Sequence, residues 1–563
     1  MSSMRGGEAV VKLLRDVGVE VIFGLCGDTS LPFYDALASS DHGIRHVLTR
    51  DERSASFMAD AYARLSGKVG VCEGPSGGGA TYILPGVAEA DASSVPLVCL
   101  TSDIDQHDAG RGTLTELDQT ALFAPITRST IRPRSARELV TAIGAAFRDA
   151  TTGPLGAAHV VLPYDVQLDE VAAAEVTIDA RFNTAPADRP APSPDAVRAA
   201  ATRLVDAHRP LIVAGAGVLR SGAWEEVTAL AELLGMPVAT SIGGKGSIAE
   251  THPYSLGVVG SNGGLGFRHD MLRESDVILY VGSRQGSVTT EKWTLPADGE
   301  KTLIQMDVDP ARIGHNYQTA AGIVADAKMG LAALVEEVSD RLGGRPAEKI
   351  EAHEIERRRD AYLASIEEFG SDRTPIRPER FVAELSALLP PRAVICADPG
   401  TPCPYLSAYY RLPQAGRWFV SPRAHGALGY ALPAVCGAYH ARPDAARVVG
   451  VMGDGSFGIS AGELETIARL NLTVTLIVLN NASYGWIKAG QKQLSGGYFS
   501  VDFSRSDHAA IAEAYGIRGL RVENPGDLRA TLDQALSSDG PVLVDVIIQP
   551  LEEARAPVSK WVA

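Results

Sequence analysis

The sequence predicts an α/β protein made of three doubly wound parallel-sheet domains. Three observations predict it. Short β-branched runs alternate with helix-like segments from the start, which is the rhythm of a parallel sheet with helices on both faces. That series appears three times along 563 residues, about four times the usual single-domain length. A Pro- and Ala-rich stretch, FNTAPADRPAPSPDA at 182–196, separates the first series from the second and reads as a linker.

The first series runs VEVIFGL, LPFYDAL, IRHVL, ERSASFMADAYARL, VGVCE and VPLVCLT, and predicts a domain over 1–181. The second, PLIVAGAG, WEEVTALAELLG, PVATS, DVILYVGS and TLIQMDVDP, predicts one over 190–340, followed by a charged helical stretch, EKIEAHEIERRRDAYLASIEEF. The third, RAVICADPG, ARVVGVMGDG, the helix ISAGELETIARL, TVTLIVLNN and PVLVDVII, predicts a domain over 375–550.

Composition narrows the class. With 45% hydrophobic and 21% charged residues the chain is an ordinary globular one, and a net charge of −16 argues against a general nucleic-acid binder or a protein held on anionic lipid. The six cysteines are scattered without CxxC spacing, so neither a zinc site nor a redox motif is expected, and a reducing cytoplasm fits best. No run approaches the ~18 apolar residues of a membrane span. The tail ARAPVSKWVA reads as a frayed end, with closure over a site as the alternative.

The strongest motif is Gly453-Asp454-Gly455, separated by 24 residues from Asn480-Asn481. The strand VVGVM ends at Gly453, where glycine lets backbone approach a phosphate, and the following helix, opening through Ser456, offers N–H groups to it. Asp454 supplies a hard oxygen ligand. A neighbouring parallel strand delivers Asn481 to the same sheet edge, so the two side chains, with the carbonyl of Ser483, suit Mg²⁺ held against a diphosphate. Taken singly, GDG and NN are turns; the joint spacing carries the reading.

This stretch resembles the thiamine diphosphate (ThDP) motif of the decarboxylase and acetolactate synthase superfamily, and the resemblance extends over essentially the whole chain. It implies an aminopyrimidine-binding domain, a middle domain and a diphosphate-binding domain, in that order. It also implies a cofactor shared between the first domain of one subunit and the third of another, hence a homodimer or homotetramer with active sites at the subunit interface.

Several further residues follow from the resemblance. Glu52 opens ERSASFMADAYAR, where such enzymes carry a catalytic glutamate; Asp51 stands where histidine is common. A carboxyl bonded to the pyrimidine N1′ favours the imino tautomer that takes the proton from thiazolium C2. Burial raises the Glu52 pKa and a helix N-terminus lowers it, so the net shift stays open. GPSGGGAT, containing Gly78, resembles the Gly-rich turn of the aminopyrimidine domain and lacks the GK[ST] of a nucleotide P-loop. Leu428, in RAHGALGYALPA, stands where a bulky residue braces bent ThDP, or simply packs in a core. Gly400 and Thr401, in DPGT, stand where relatives contact the diphosphate, or form a plain turn.

The reaction beyond the ThDP carbanion is less constrained. Asp28 stands where 2-oxo acid decarboxylases carry an aspartate near the substrate, or caps its own turn. TELDQTALFAPITR resembles the carboligase, oxalyl-CoA decarboxylase and benzaldehyde lyase branches more than pyruvate decarboxylase, and YGWIKAGQKQ resembles a 2-hydroxyacyl-CoA lyase segment, except that Lys488 replaces a catalytic glutamate. Lys488 attracts a substrate carboxylate or phosphate, or is an exposed helix lysine. His425 and His107 are candidate proton donors.

In the middle domain, GAGVLRSG gives a partial dinucleotide signal, and Arg284 or Asp307 could contact FAD or ADP. The expected function is a ThDP- and Mg²⁺-dependent carbon–carbon lyase or carboligase acting on a small 2-oxo acid or 2-hydroxyacyl-CoA. The alternatives are a non-oxidative 2-oxo acid decarboxylase, a silent ThDP-binding relative and, on the middle glycines alone, a nicotinamide dehydrogenase.

Overall fold

The computed structural model describes residues 2–263 and 266–560. It contains three six-stranded parallel sheets. By contacts the chain forms two compact units: Met1–Asp188 with Pro422–Pro443 and Ser460–Leu472, and Arg189–Ser421 with Asp444–Ile459 and Thr473–Ala563.

In the first unit the strands lie in the spatial order Arg45–Leu48, Val21–Gly24, Gly70–Gly74, Leu97–Asp103, Ala157–Pro163 and Ser129–Ile131. The order reverses direction between Val21–Gly24 and Gly70–Gly74, the switch that opens a crevice at the carboxyl ends of strands in doubly wound sheets. Val10, Leu14, Ile22, Leu139, Phe147 and Val160 fill one face of this sheet. Helix Glu52–Ser66 is buried almost throughout, with Ala-rich positions that admit helix Ala431–Ala441 closely: a Cβ at Gly437 would collide with the backbone of Met58. A short antiparallel pair joins Ser3–Arg5 to Glu170–Ala172.

The second unit holds two sheets. One orders Ser255–Val258, Val238–Thr240, Pro210–Ala214, Val277–Val281, Thr302–Asp307 and Ala321–Val324. The other orders Phe419–Val420, Ala393–Ala397, Arg447–Gly453, Val474–Asn480, Val542–Ile547 and Arg518–Val522. The central strands are buried along their length, as strands covered on both faces must be.

Three local differences from expectation have physical causes. Asp454 is the first residue of helix Asp454–Ser460, so the GDG turn is itself helical, and Ser460 at φ −123° ends that helix before Leu464–Arg469. The Pro-rich linker is not free chain: Lys68 bridges Thr184, and the Ala187 amide bonds the Thr151 carbonyl at 2.9 Å. The tail is not frayed through Lys560. Gly263 N–H donates to Pro557 O at 2.7 Å, Ser559 Oγ donates to the Glu291 carboxylate at 2.7 Å, and Lys560 Nζ to the Glu291 carbonyl at 2.6 Å. Residues 561–563 of that tail lie outside the described residues. Among the described residues no helix is long and apolar enough to cross a membrane, and all six cysteines are free.

Candidate active site

The third sheet gathers one group of candidate residues at its carboxyl edge. Strands Ala393–Ala397, Arg447–Gly453 and Val474–Asn480 are adjacent and parallel, so the segments that follow them emerge side by side. Asp454 is 4% exposed. Its Oδ1 accepts from Gly455 N–H at 2.9 Å, and its Oδ2 from Asn481 N–H at 3.0 Å and Ala482 N–H at 2.6 Å. Burial pushes its pKa up to about 6 against the opposing pull of these three amides. Asn481 Oδ1 in turn accepts from Ser483 N–H at 3.3 Å and Ser483 Oγ at 3.2 Å.

Gly485 touches both neighbours: a Cβ there would stand 2.9 Å from Asn481 Nδ2 and 3.7 Å from Thr401 Oγ1. Gly400 and Thr401 therefore belong with Asp454, Ser456, Asn481 and Ser483. Side chains at Gly453 or Gly400 would meet nothing within 4 Å, an open cradle, whereas one at Gly455 would strike the Tyr484 ring at 2.6 Å.

The first unit gathers the second group. Glu52 heads its helix and is 7% exposed; Asp51 caps the helix instead, accepting from Arg53 N–H at 2.8 Å and pairing with the Arg53 guanidinium at 2.7 Å. The Glu52 carboxyl lies among glycines. Its Cγ is 3.4 Å from where a Gly74 Cβ would be, and its Oε1 is 3.1 Å from that of Gly79, next to Gly78. Burial, with the charges of Asp51 and Glu73 in addition, raises its pKa over the opposing pull of its own amide. The open question of the sign is resolved upward.

Asp28 is exposed, in the turn Asp28–Ser30 that Ser30 caps through Gly27 N–H at 2.9 Å. The next residue, Thr29, bonds Ser76 of the Gly-rich turn at 3.0 Å, which brings Asp28 to the same edge as Gly78. His425 is exposed and Leu428 half-buried, both in the segment before helix Ala431–Ala441. His107, in the turn Gln106–Asp108 that follows strand Leu97–Asp103 of the same sheet, is exposed and bonded to Asp105 at 2.9 Å.

Lys488 sits among acids. Its ammonium pairs with Asp502 at 2.7 Å and Glu552 at 2.8 Å, and lies 4.3 Å over the Tyr498 ring. Burial pulls its pKa down, but the two carboxylates more than offset that, so the net shift is upward. A lysine held charged accepts no proton, and here the charge is shared with two acids. Sequence reasoning could not have found partners 14 and 64 residues away.

Glu73 was missed as well. It is buried in strand Gly70–Gly74, accepting from Tyr34 OH at 2.5 Å and contacting His46 Nε2 at 3.2 Å. The signal was there: an acid inside the otherwise apolar run VGVCE.

In the middle sheet, the GAG glycines serve close packing. Gly217 N–H donates to Gly282 O at 3.0 Å, and Cβ atoms at Gly215 or Gly217 would collide with that backbone. Asp307 caps Asp309 N–H at 3.0 Å, and Arg284 is exposed. Among the described residues Gln285, 1% exposed at φ +52°, has no partner for either side-chain polar atom, and Thr240 Oγ1 has none either.

Three family models cover the chain: the N-terminal TPP binding domain of thiamine pyrophosphate enzymes over 4–122, their central domain over 197–334 and their C-terminal TPP binding domain over 398–546. The chain belongs to the thiamine pyrophosphate enzymes, in their acetolactate synthase-like branch. It is 36% identical to a protein of Methanococcus aeolicus described as "Probable acetolactate synthase large subunit", over 97% of this chain and 92% of that one. A protein of the same description from Methanocaldococcus jannaschii is 35% identical over 98% and 93%. The acetolactate synthase large subunit of Cyanidium caldarium is 30% identical over 97% and 94%.

Proposed function

We propose that this chain is a ThDP- and Mg²⁺-dependent carboligase of the acetolactate synthase type, joining two 2-oxo acid molecules with loss of carbon dioxide. Full-length likeness to acetolactate synthase large subunits carries the reading. Acetolactate is what an acyl carbanion equivalent gives when it adds to the keto carbon of a second 2-oxo acid. When bound, ThDP supplies the acidic thiazolium carbon and the electron sink for that chemistry.

The chain's own residues supply the rest. Glu52 holds a proton at the pyrimidine N1′, a role that suits a buried carboxyl with a raised pKa. Asp454, Asn481 and the Ser483 carbonyl offer hard oxygens to Mg²⁺. The donor set fits: Asp454 is buried, oriented by three amides and, among the described residues, without a cationic partner in hydrogen-bond range, so a divalent cation would offset its desolvation. Gly400, Thr401, Gly453, Gly455 and Ser456 would receive the diphosphate, Gly78 would let the aminopyrimidine approach, and Leu428 would brace the cofactor. His425 and Asp28 face the substrate as proton donors.

The cofactor is shared between the first domain of one subunit and the third of another, in a homodimer or homotetramer. The cytoplasm is its compartment, and 1–181, 190–340 and 375–550 are its domains. The orphaned Gln285 amide and Thr240 hydroxyl suit a polar ligand such as FAD or ADP in the middle domain.

The test is acetolactate formation from a 2-oxo acid, dependent on added ThDP and Mg²⁺ and lost in Glu52→Gln with the fold intact. Unchanged turnover in that variant overturns the role of Glu52. A second reading, non-oxidative decarboxylation, is favoured by Asp28, which is exposed beside Thr29 and the Gly-rich turn that Thr29 bonds through Ser76. Aldehyde release without acetolactate would select it.

A further inference from the structure

Glu89, on helix Leu84–Ala92, is fully buried. Its Oε1 accepts from Arg64 Nη2 at 3.0 Å, Ser93 Oγ at 2.7 Å and Arg423 N–H at 3.2 Å. Its Oε2 accepts from the amides of Ala424 at 3.2 Å, His425 at 2.7 Å and Gly426 at 3.2 Å. Four successive backbone amides thus converge on one carboxylate. That is an anion-binding nest whose anion is supplied by a distant part of the same chain. Gly426, at φ +78°, makes the left-handed turn that such a concavity needs.

The grip continues from the other side of Arg64. Its Nε donates to Asp60 Oδ2 at 2.7 Å, and the same oxygen accepts from Tyr430 OH at 2.6 Å. Segment 423–430 is therefore held at both ends by a chain of buried charges. Two of its members, Asp60 and Arg64, stand on the helix that Glu52 heads. A single rigid element so fixes both a candidate proton-holding carboxyl and the segment bearing Leu428 and His425. Burial works to raise the Glu89 pKa, but Arg64, Ser93 and the amides outweigh it, and the carboxyl is held below its ordinary range. The nest keeps its charge through the neutral range.

We propose that Glu89 is a positioning residue: by organising the amides of 423–426 it sets the place of Leu428, and through Leu428 the geometry of the bound cofactor. The proposal rests on the reading that Leu428 braces ThDP. Glu89 touches neither the cofactor nor the substrate.

The nest lies apart in sequence from the residues that receive the diphosphate and Mg²⁺, so its loss separates two readouts. In Glu89→Gln the full-length protein loaded with ThDP and Mg²⁺ is expected to keep its ThDP affinity. Deuterium exchange at the thiazolium C2 of the bound cofactor, read by quenched proton NMR, is expected to slow roughly tenfold to a hundredfold, the scale of a misplacement of about 1 Å. Tyr430→Phe removes the hydroxyl bond to Asp60 at the other end of the segment and should slow exchange in the same direction, by less; it carries the test if Glu89→Gln does not fold.

Wild-type exchange in a variant that binds ThDP overturns the proposal. So does a parallel loss of affinity and exchange, which marks a merely structural role. Failure of the underlying reading is seen elsewhere, in a wild-type protein that binds no ThDP or exchanges C2 no faster than free ThDP does.

Discussion

Two carboxylates stand at the carboxyl edges of two parallel sheets, and they are held in opposite ways. Asp454 accepts three backbone amides, which fix both of its oxygens. Glu52, almost as buried, is met only by its own helix-head amide among the described residues and lies among glycines. Burial raises the pKa of both. The difference teaches what each surrounding is built for. A tethered carboxylate presents a fixed oxygen, the requirement of a cation ligand. One met by a single amide, its own, keeps an oxygen available for a proton that comes and goes.

Substitution tests the contrast most sharply at the two acids themselves. Glu52→Gln is expected to cut turnover by 10²-fold to 10⁴-fold, on the order of what a positioned acid–base group contributes, while ThDP affinity measured by calorimetry stays near wild type. Asp454→Ala should reverse that pattern. It removes the proposed metal ligand and leaves the amides of Asn481 and Ala482 without their acceptor, about 1–3 kcal/mol for each buried group left unpaired, so Mg²⁺-dependent ThDP binding falls first. If Asp454→Ala bound ThDP normally, the cation-ligand reading would be lost.

Glycines extend the contrast to shape. Gly455→Ala must displace the Tyr484 ring, 2.6 Å from the new Cβ, and should cost roughly 1–3 kcal/mol in thermal stability by overpacking. Gly453→Ala meets no atom within 4 Å and should leave the unliganded protein as stable as before while weakening ThDP binding. Equal stability losses in the two would show the cradle at Gly453 to be closed.

The smallest expected effect concerns the first sheet. His159 is fully buried, its ring nitrogens meeting the hydroxyls of Thr101 and Thr130 at 2.6 Å, and stacked on Phe123. Burial lowers its pKa to about 3, against about 6.5 in an unfolded chain. The folded state therefore binds fewer protons than the unfolded one, so stability is full above pH ~6.5 and declines as the pH falls toward 3. Chemical denaturation at pH 7 and pH 5 should show the decline, smaller in His159→Gln. Identical slopes would remove His159 from the acid sensitivity.

The span from Asp454 to Asn481 was legible in the sequence because local rules set it: a strand, a glycine turn, a helix and a neighbouring strand of matched length. Glu52 was legible for the same reason, as the head of a helix that follows a strand. What escaped was set by contacts far apart in the chain. Lys488 is defined by Asp502 and Glu552, and the Glu89 nest by amides more than 330 residues away. No local pattern records which acid a lysine will meet. The net shift of Glu52 depends likewise on how closely Gly74 and Gly79 enclose it, a matter of tertiary packing.

The register of strand Val474–Asn480 has one more consequence. Gly453 pairs with Leu479, so the two asparagines that follow have different fates. Asn480 turns into the interior, donating to Asp545 at 3.0 Å, while Asn481 meets Asp454 and Ser483. Successive side chains of a strand face opposite ways, so a single residue added or removed within 474–480 would exchange the two identical letters. The strand is a ruler, tolerant of a changed letter and intolerant of a changed count. An insertion scan across 447–481 would trace the edge of the site with no substrate in the tube.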